Sequence, residues 1–505
     1  MATKKDLARL IYPEFRFGKT SIEQGLELVR AGVGGFCFYG GTAEEVRHAA
    51  KTLKDAADHP LLIAADYEEG VGRRVQGMTE LPSNMAVGAV AGIEEAENFA
   101  YNKGLVTAQE TVSLGADWVF APVLDLAVNA DNPIVSLRSF GAAPERVARL
   151  AEAYCKGLTD GGALNSLKHF PGHGRTNTDS HLALPELDAD EELIRETDMR
   201  TFIKVLPYAD SIMAGHLLAK PLDADYPASL SKKVITGIIR REMCFDKTVI
   251  TDALNMHALN RWGEPGIMAL SAGADILLYP ADPFTLINAL EKGLKDGVIT
   301  EERISGALQR QQQLIEHSGK IKQAAKNIRR ESCLIPAGEF NDRIAPQSVA
   351  VISGLGHLSR GSCAAYMEPG RTWENREGRA FTSALENCGI RLVPYEKVKS
   401  GELREIDGGS IEYLVAAAFT GPQAFSGKIN LSTEQKAELA ETFPKFKRVY
   451  MASFGSPFAL QGIEPAPQVS VCAYGKLPQF QQQAAAIITG KDRPRGTDPT
   501  FLLQK

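Results

Sequence analysis

The feature that most constrains this chain is a theme repeated through its first two-thirds: a short apolar run, a polar loop, then an amphipathic stretch. The apolar runs fall at 34–39, 61–65, 117–121, 164–168, 211–214, 248–251 and 274–279. Between them lie stretches of helical periodicity, such as 94–114, 144–159 and 232–241. A strand that is apolar along its whole length is buried on both faces, and parallel strands covered by helices meet that requirement. Residues 8–12 supply a candidate eighth strand. The expected fold is α/β, a (β/α)8 TIM-like barrel. A doubly wound open sheet would give the same strand pattern and stays open as the structural alternative.

The theme then changes. Residues 301–330 read as one long polar helix, and 331–345 lose periodicity and contain Pro336 and Gly338. Beyond them the alternation restarts, with strands expected at 348–353, 413–418, 448–453 and 469–473 and helices at 432–442 and 481–488. The expected organisation is a barrel over 1–330, a linker over 331–345 and a smaller α/β sandwich domain over 346–505, which carries no recognisable catalytic motif.

Composition removes several classes of function. Lys and Arg number 56 against 62 Asp and Glu, a net charge of −6, so there is no global basic footprint for nucleic acid. The seven cysteines (37, 155, 244, 333, 363, 388, 472) form no CxxC pair, which argues against a disulfide framework or a structural zinc site. Reduced thiols, an N-terminus (MATKKDLARLIYPEFRFG) without an apolar signal core, and no apolar run of spanning length point to a cytoplasmic chain without membrane contact. The oligomeric state is not written in these patterns.

In a parallel barrel, chemistry sits where strands end and loops begin. Here Asp66 follows LLIAA, Asp125 follows DWVFAPVL, Lys168 and His169 follow LNSL, His216 follows SIMAG and Asp252 follows TVIT. Any one of these reads equally well as a cap or turn residue; several strand ends agreeing makes the set a candidate pocket. The segment 168–181, KHFPGHGRTNTDSH, holds three of the nine histidines together with Pro171, Gly172 and Gly174. A solvated loop is one reading. A metal site is a second, although the spacing fits no common zinc template, and no metal is expected. Acid/base catalysis by His181, oriented by Asp179, is the third, because an imidazole titrates near pH 6.5 and an adjacent carboxylate stabilises its protonated form. Asp252 then reads either as the N-cap of a following helix or as a nucleophile able to attack an anomeric carbon.

These motifs resemble the bacterial β-N-acetylhexosaminidases of glycoside hydrolase family 3. The matching segments run in order: DYEEGVGRRV (66–75), LPSNM (81–85), APVLDLAVN (121–129), RSFG (138–141), KHFPGHGRTNTDSHLALP (168–185), MAGH (213–216), PASLS (227–231), VITDALNM (249–256) and ALSAGADILL (269–278). FGSPFAL (454–460) and AYG (473–475) resemble, more weakly, the second domain of two-domain members. The resemblance implies Asp252 as nucleophile and His181 with Asp179 as the acid/base dyad. It implies Asp66, Arg74, Arg138, Lys168 and His169 as the groups holding the terminal GlcNAc, with His216 and Met213 as candidate pocket residues. One stretch departs from it: where the family reads D-Q-E-G-G-R-V, this chain has Asp66-Tyr67-Glu68-Glu69-Gly70-Val71-Gly72.

The implied activity is retaining hydrolysis of terminal β-linked GlcNAc from peptidoglycan fragments, as in peptidoglycan recycling, or from chito-oligosaccharides. It needs no cofactor, and its partner is the carbohydrate alone. Two alternatives use the same residues. A neutral base does not repel phosphate, so transfer to phosphate would make the chain a phosphorylase. A barrel that had lost turnover would be a sugar-binding protein.

Overall fold

The computed structural model describes residues 2–326, 335–403, 405–406, 409–421 and 429–500. The end of the expected long helix (327–330), the first linker residues (331–334) and with them Cys333 lie outside the described residues.

The first two-thirds form a closed ring of parallel strands. Its members are β1 (Ile11–Tyr12), β2 (Glu14–Arg16), β3 (Gly35–Tyr39), β4 (Leu62–Ala65), β5 (Trp118–Val119), β6 (Leu167–Phe170), β7 (Ser211–Ala214), β8 (Thr248–Thr251) and β9 (Leu277–Leu278). Ladders join β2-β3-β4-β5, β6-β7-β8 and β1-β9, all parallel. Single bonds close the gaps: Val119 N donates to Leu164 O (2.9 Å), Thr251 N to Ile276 O (3.1 Å), Leu277 N to Leu10 O (2.8 Å), Tyr279 N to Tyr12 O (3.0 Å) and Gly34 N to Ile11 O (3.3 Å). β1 and β2 act as one strand broken at Pro13, which has no N–H to give. The ring therefore has eight staves, and its closure between the first and last of them rules out the open-sheet alternative.

The interior is filled, as a closed barrel requires. Tyr12, Cys37, Leu62, Trp118, Met213, Ile250, Ile276 and Leu278 share one buried cluster, with the Tyr12 and Trp118 rings edge to face at 6.2 Å. Gly35 makes room for this packing, since a Cβ there would lie 2.3 Å from both the Tyr12 ring and Leu62 O. Where strands begin, buried carboxylates tie strand to helix. Asp117 accepts from Ile63 N (2.7 Å) and pairs with Lys54 and Lys322. Asp275 accepts from Val249 N (2.9 Å) and gathers Arg240, Arg303 and Arg310.

The remaining strands are β10 (Ala350–Ser353), β11 (Cys363–Met367), β12 (Arg391–Pro394), a short antiparallel pair β13 (Glu405–Ile406) and β14 (Gly409–Ser410), β15 (Tyr413–Ala418), β16 (Arg448–Ser453) and β17 (Val469–Cys472). Six of them form a sheet of order β10-β17-β16-β15-β11-β12, parallel except for the antiparallel β10–β17 edge. On one face Ala365, Met367, Leu414, Ala416, Val449 and Met451 alternate inward beneath Tyr395 and Leu439 from the covering helices. Strands β11 (CAAYM) and β12 (RLVP) were not expected from sequence: one is built of small residues and the other ends in proline, so neither shows a clear β pattern.

By its contacts the chain divides into two compact units. One comprises Met1–Leu81, Glu97–Val135 and Pro144–Ala337; the other comprises Pro82–Ala96, Ser136–Ala143 and Gly338–Lys505. The second unit thus takes two segments from the sequence range expected for the barrel. Within it Ser83 Oγ donates to Tyr474 O (2.6 Å), Thr497 N to Ala89 O (2.8 Å), Ala142 N to Pro499 O (3.0 Å) and Asn84 Nδ2 to Arg138 O (2.7 Å). These bonds reach backbone carbonyls far along the chain, which local periodicity does not encode. A helix, Phe340–Ser348, also occupies part of the range expected as linker.

Asp275 provides a test of the barrel. Its side chain is fully buried while three guanidiniums depend on it. Removing one partner of a buried ion cluster leaves uncompensated charge and costs about 3–5 kcal/mol. Asp275→Ala is expected to lower the unfolding free energy of the barrel by that amount and shift its urea midpoint down accordingly; an unchanged midpoint would show that the cluster is not a structural tie.

Candidate active site

The strand ends carry the residues singled out in sequence. Lys168, in β6, is buried, and its ammonium lies 2.7 Å from Asp66 Oδ1 and 2.5 Å from Glu68 Oε1. A buried cation is tolerable only with such acceptors. The Asp66 side chain remains 31% exposed, so it keeps room to accept from a ligand hydroxyl. Behind Glu68 sits Lys103, fully buried on the helix Ile93–Ser113. Burial pushes its pKa down to about 7, against the pull of Glu69 and Glu68. Burial pushes the Glu69 carboxyl up, opposed by Arg73 and Lys103, and Arg73 lies 3.2 Å from Glu69. Asp66, Lys168, Glu68, Lys103, Glu69 and Arg73 thus form a row of alternating charge.

A second anchor is Asp125, in the loop after β5 and fully buried. Its carboxylate accepts from His169 Nδ1–H (2.6 Å), His169 N (3.2 Å) and His173 N (2.7 Å). Burial opposes its charge, but His169 and these donors hold it below the usual carboxylate range. His173 is neutral: burial drives its pKa down to about 4, and its Nδ1 lies 2.7 Å from Thr176 Oγ1. Gly174 is required for this fold of the loop, since a Cβ there would lie 2.0 Å from Leu126 O. Arg175 pairs with buried Asp198 at 2.8 Å.

At the end of the same loop, Asp179 Oδ1 accepts from both His181 Nδ1–H (2.8 Å) and His181 N (2.9 Å). Asp179 is buried, whereas the His181 side chain is 28% exposed. The carboxylate therefore fixes the tautomer and ring orientation. Ser180 O accepts from Ala258 N (3.2 Å), which ties the loop to the segment beyond β8.

Asp252 follows β8. Its N–H donates to Ala214 O (3.1 Å), and its Oδ1 accepts from Ala253 N (2.8 Å). Burial opposes its ionisation, but His216, His169 and His181 together with the Ala253 N–H hold its pKa down, to about 2. Three histidines from two neighbouring strand ends thus act on one carboxylate. His216, fully buried, donates from Nε2 to Ala253 O (2.9 Å) and accepts at Nδ1 from Ser229 Oγ (2.7 Å). Burial pushes its pKa below the ordinary imidazole value, against the pull of Asp252. His216 therefore braces the peptide next to Asp252.

The structure brings Asp66 to Lys168, His169 to Asp125, and His181 to Asp179, and sets His169, His181 and His216 around Asp252. Arg74 stands apart from these contacts: it is exposed, 4.7 Å over the Tyr39 ring, and donates to the Tyr39 hydroxyl (2.7 Å). Arg138 ends the turn Ser136–Arg138, within the second unit. Met213 is buried in the barrel's interior cluster. Sequence reasoning noted Asp125 as a strand end but gave it no role, and did not single out Lys103 or Ser229. Lys103 had a signal: a lone lysine within a helical run whose neighbours at 99, 100 and 104–108 are all buried. Among the described residues, no group of three or more His, Cys, Asp or Glu is arranged to hold a metal ion.

Residues 3–314 match the family model described as the glycosyl hydrolase family 3 N terminal domain. A β-hexosaminidase of Idiomarina loihiensis is 32% identical over 255 residues, covering 50% of this chain and 76% of that protein. A β-hexosaminidase of Pseudomonas aeruginosa (strain LESB58) is 35% identical over 257 residues, with the same coverage of 50% and 76%. The solved structure of a glycoside hydrolase family 3 β-N-acetylglucosaminidase from Paenibacillus sp. str. FPU-7 superposes with a TM-score of 0.83 at 26% identity, covering 99% of each chain.

The buried histidine gives a pH prediction. A histidine whose pKa falls from 6.5 to about 4 on folding binds its proton better in the unfolded chain. Its contribution to stability is complete above pH 6.5 and is lost as pH falls towards 4, on the order of 3 kcal/mol in all. Asp125 and Asp252 act in a lower window, below the ordinary carboxylate pKa of 3.8. His173→Gln is expected to flatten the fall in urea midpoint between pH 6.5 and 4; an unaltered slope would mean that His173 is not held neutral.

Proposed function

The chain belongs to glycosyl hydrolase family 3, and on that premise we propose that it is a retaining exo-β-N-acetylglucosaminidase. Asp252 is the nucleophile, His181 the acid/base and Asp179 its orienting partner. The observation that carries this reading is the Asp179–His181 pair, on a loop whose imidazole acts electrostatically on Asp252. Asp66, Lys168 and His169 hold the terminal sugar, with Arg74 as a further donor.

The reaction then runs in two displacements. The Asp252 oxygen not engaged by Ala253 N–H attacks the anomeric carbon. The bond to the aglycone oxygen breaks, and protonated His181 gives its Nε2 proton to that oxygen. Neutral His181 next takes a proton from water as the water attacks the same carbon, and Asp252 leaves as the carboxylate. With a pKa near 2, Asp252 is ionised throughout the working range. Asp179 accepts from the imidazolium that forms and is gone in alternate half-reactions. The substrates proposed are GlcNAc-terminated peptidoglycan fragments or chito-oligosaccharides.

The test is release of chromophore from aryl β-GlcNAc and aryl β-glucose. GlcNAc-selective turnover is expected. General acid catalysis typically contributes about 10²–10⁴-fold, so His181→Ala should lose activity in that range on poor leaving groups and less on good ones. An equal loss on both would remove His181 as the acid. Release of GlcNAc-1-phosphate in phosphate buffer would turn the reading to phosphorolysis, and no turnover on either glycoside would turn it to a binding protein.

A further inference from the structure

The sheet of the second unit reverses its winding beside β11, which has β12 on one side and β15 on the other. Open α/β sheets bind ligands outside the strand carboxyl ends at such a reversal. A cavity of about 250 Å³ lies there, between the loop that follows β11 and the helices Tyr395–Lys399 and Thr433–Thr442.

The walls of this cavity are fixed in place. Buried Glu368 accepts from the Tyr366 hydroxyl (2.7 Å) and from the backbone N–H groups of Glu377 and Gly378 (2.8 Å each), which pins the loop. Glu396 accepts from Trp373 N (2.9 Å). The Arg376 guanidinium lies 3.8 Å over the Trp373 ring, and Tyr366 meets that ring edge-on at 5.8 Å.

The lining chemistry discriminates among ligands. In doubly wound domains a nucleotide phosphate sits at the N-terminus of the helix after the first strands. Here that helix is Arg379–Asn387, and the Glu368 carboxylate already takes the N–H groups just ahead of it. Arg371, Arg376 and Lys399 are balanced by Glu368, Glu396 and Glu438, so the lining favours neither anion nor cation. What it offers is donors and acceptors around an aromatic wall. A pyranose complements this, because each hydroxyl both donates and accepts while the ring's C–H face packs on an aromatic surface. The volume falls just under the roughly 300–1,000 Å³ of drug-sized pockets, which suits a single sugar ring.

We propose that the second unit carries a binding site for one neutral sugar ring, walled by Trp373 with Lys399 and Glu438 at its rim. The choice of N-acetylglucosamine as that sugar rests on the reading of the barrel as a GlcNAc-releasing hydrolase; the site itself does not.

The chain has three tryptophans, at 118, 262 and 373, so the full chain labelled with 5-fluorotryptophan reports on this cavity directly. Trp373→Phe assigns the signal. Titration with N-acetylglucosamine should shift the Trp373 resonance saturably, and equally in Asp66→Ala, while the open-chain polyol sorbitol should not. Lys399→Ala should weaken this binding about fivefold, the size of one lost hydrogen bond, with kcat/KM on aryl β-GlcNAc unchanged. A resonance that does not move, that follows sorbitol equally, that moves only with Asp66 intact, or that keeps its affinity in Lys399→Ala would overturn the proposal. Absence of aryl β-GlcNAc turnover would instead count against the reading of the barrel and leave the titration result standing.

Discussion

The carboxylate of Asp125 is the constraint on which the candidate site depends. It lies fully buried in the loop after β5, where an uncompensated charge would be costly. It is stabilised by three donors from β6 and the loop after it: His169 Nδ1, His169 N and His173 N. One buried anion thus fixes the His169 ring, holds the start of the loop and sets the path along which Asp179 and His181 follow. The neutral state of His173 belongs to the same arrangement, since a protonated ring there would leave its buried Nε2–H without an acceptor.

The row from Asp66 through Lys168, Glu68 and Lys103 to Glu69 works by the same logic. Lys168 is almost wholly buried between Asp66 and Glu68, and Lys103 balances Glu68 from behind. Such a row leaves Asp66, at its open end, as the polar group facing outward. It also accounts physically for the departure from the family pattern at 66–72: the glutamate at 69, where the family has glycine, is matched by Arg73 and by the buried Lys103. Asp252 is held differently. It rests on a backbone hydrogen bond whose peptide is braced by His216, and His216 is oriented in turn by Ser229.

Much of this was legible in the sequence because it is local. Continuous apolar runs give buried parallel strands, and charged residues immediately after them give the barrel mouth. Asp179 and His181 are two residues apart, so their pairing was readable from spacing. What was not legible depends on partners distant in sequence. The bonds from Lys168 to Asp66 and from His169 to Asp125 cross one or more barrel staves. Segments 82–96 and 136–143 fall within the range expected for the barrel, yet they find partners near residues 474 and 497–499. Arg138 travels with them. Strand β11 was missed because alanine-rich strands between two helical layers carry little β signal of their own.

The central claim is that the carboxylate after β8 becomes covalently bonded to sugar. The most direct measurement is mass spectrometry of the protein after incubation with an activated, slowly turned-over 2-deoxy-2-fluoro glycoside, followed by mapping of the labelled peptide. The account predicts one sugar per chain on the peptide containing Asp252, with no label in Asp252→Asn. A label on any other carboxylate, or GlcNAc-selective turnover without any covalent adduct, would contradict it.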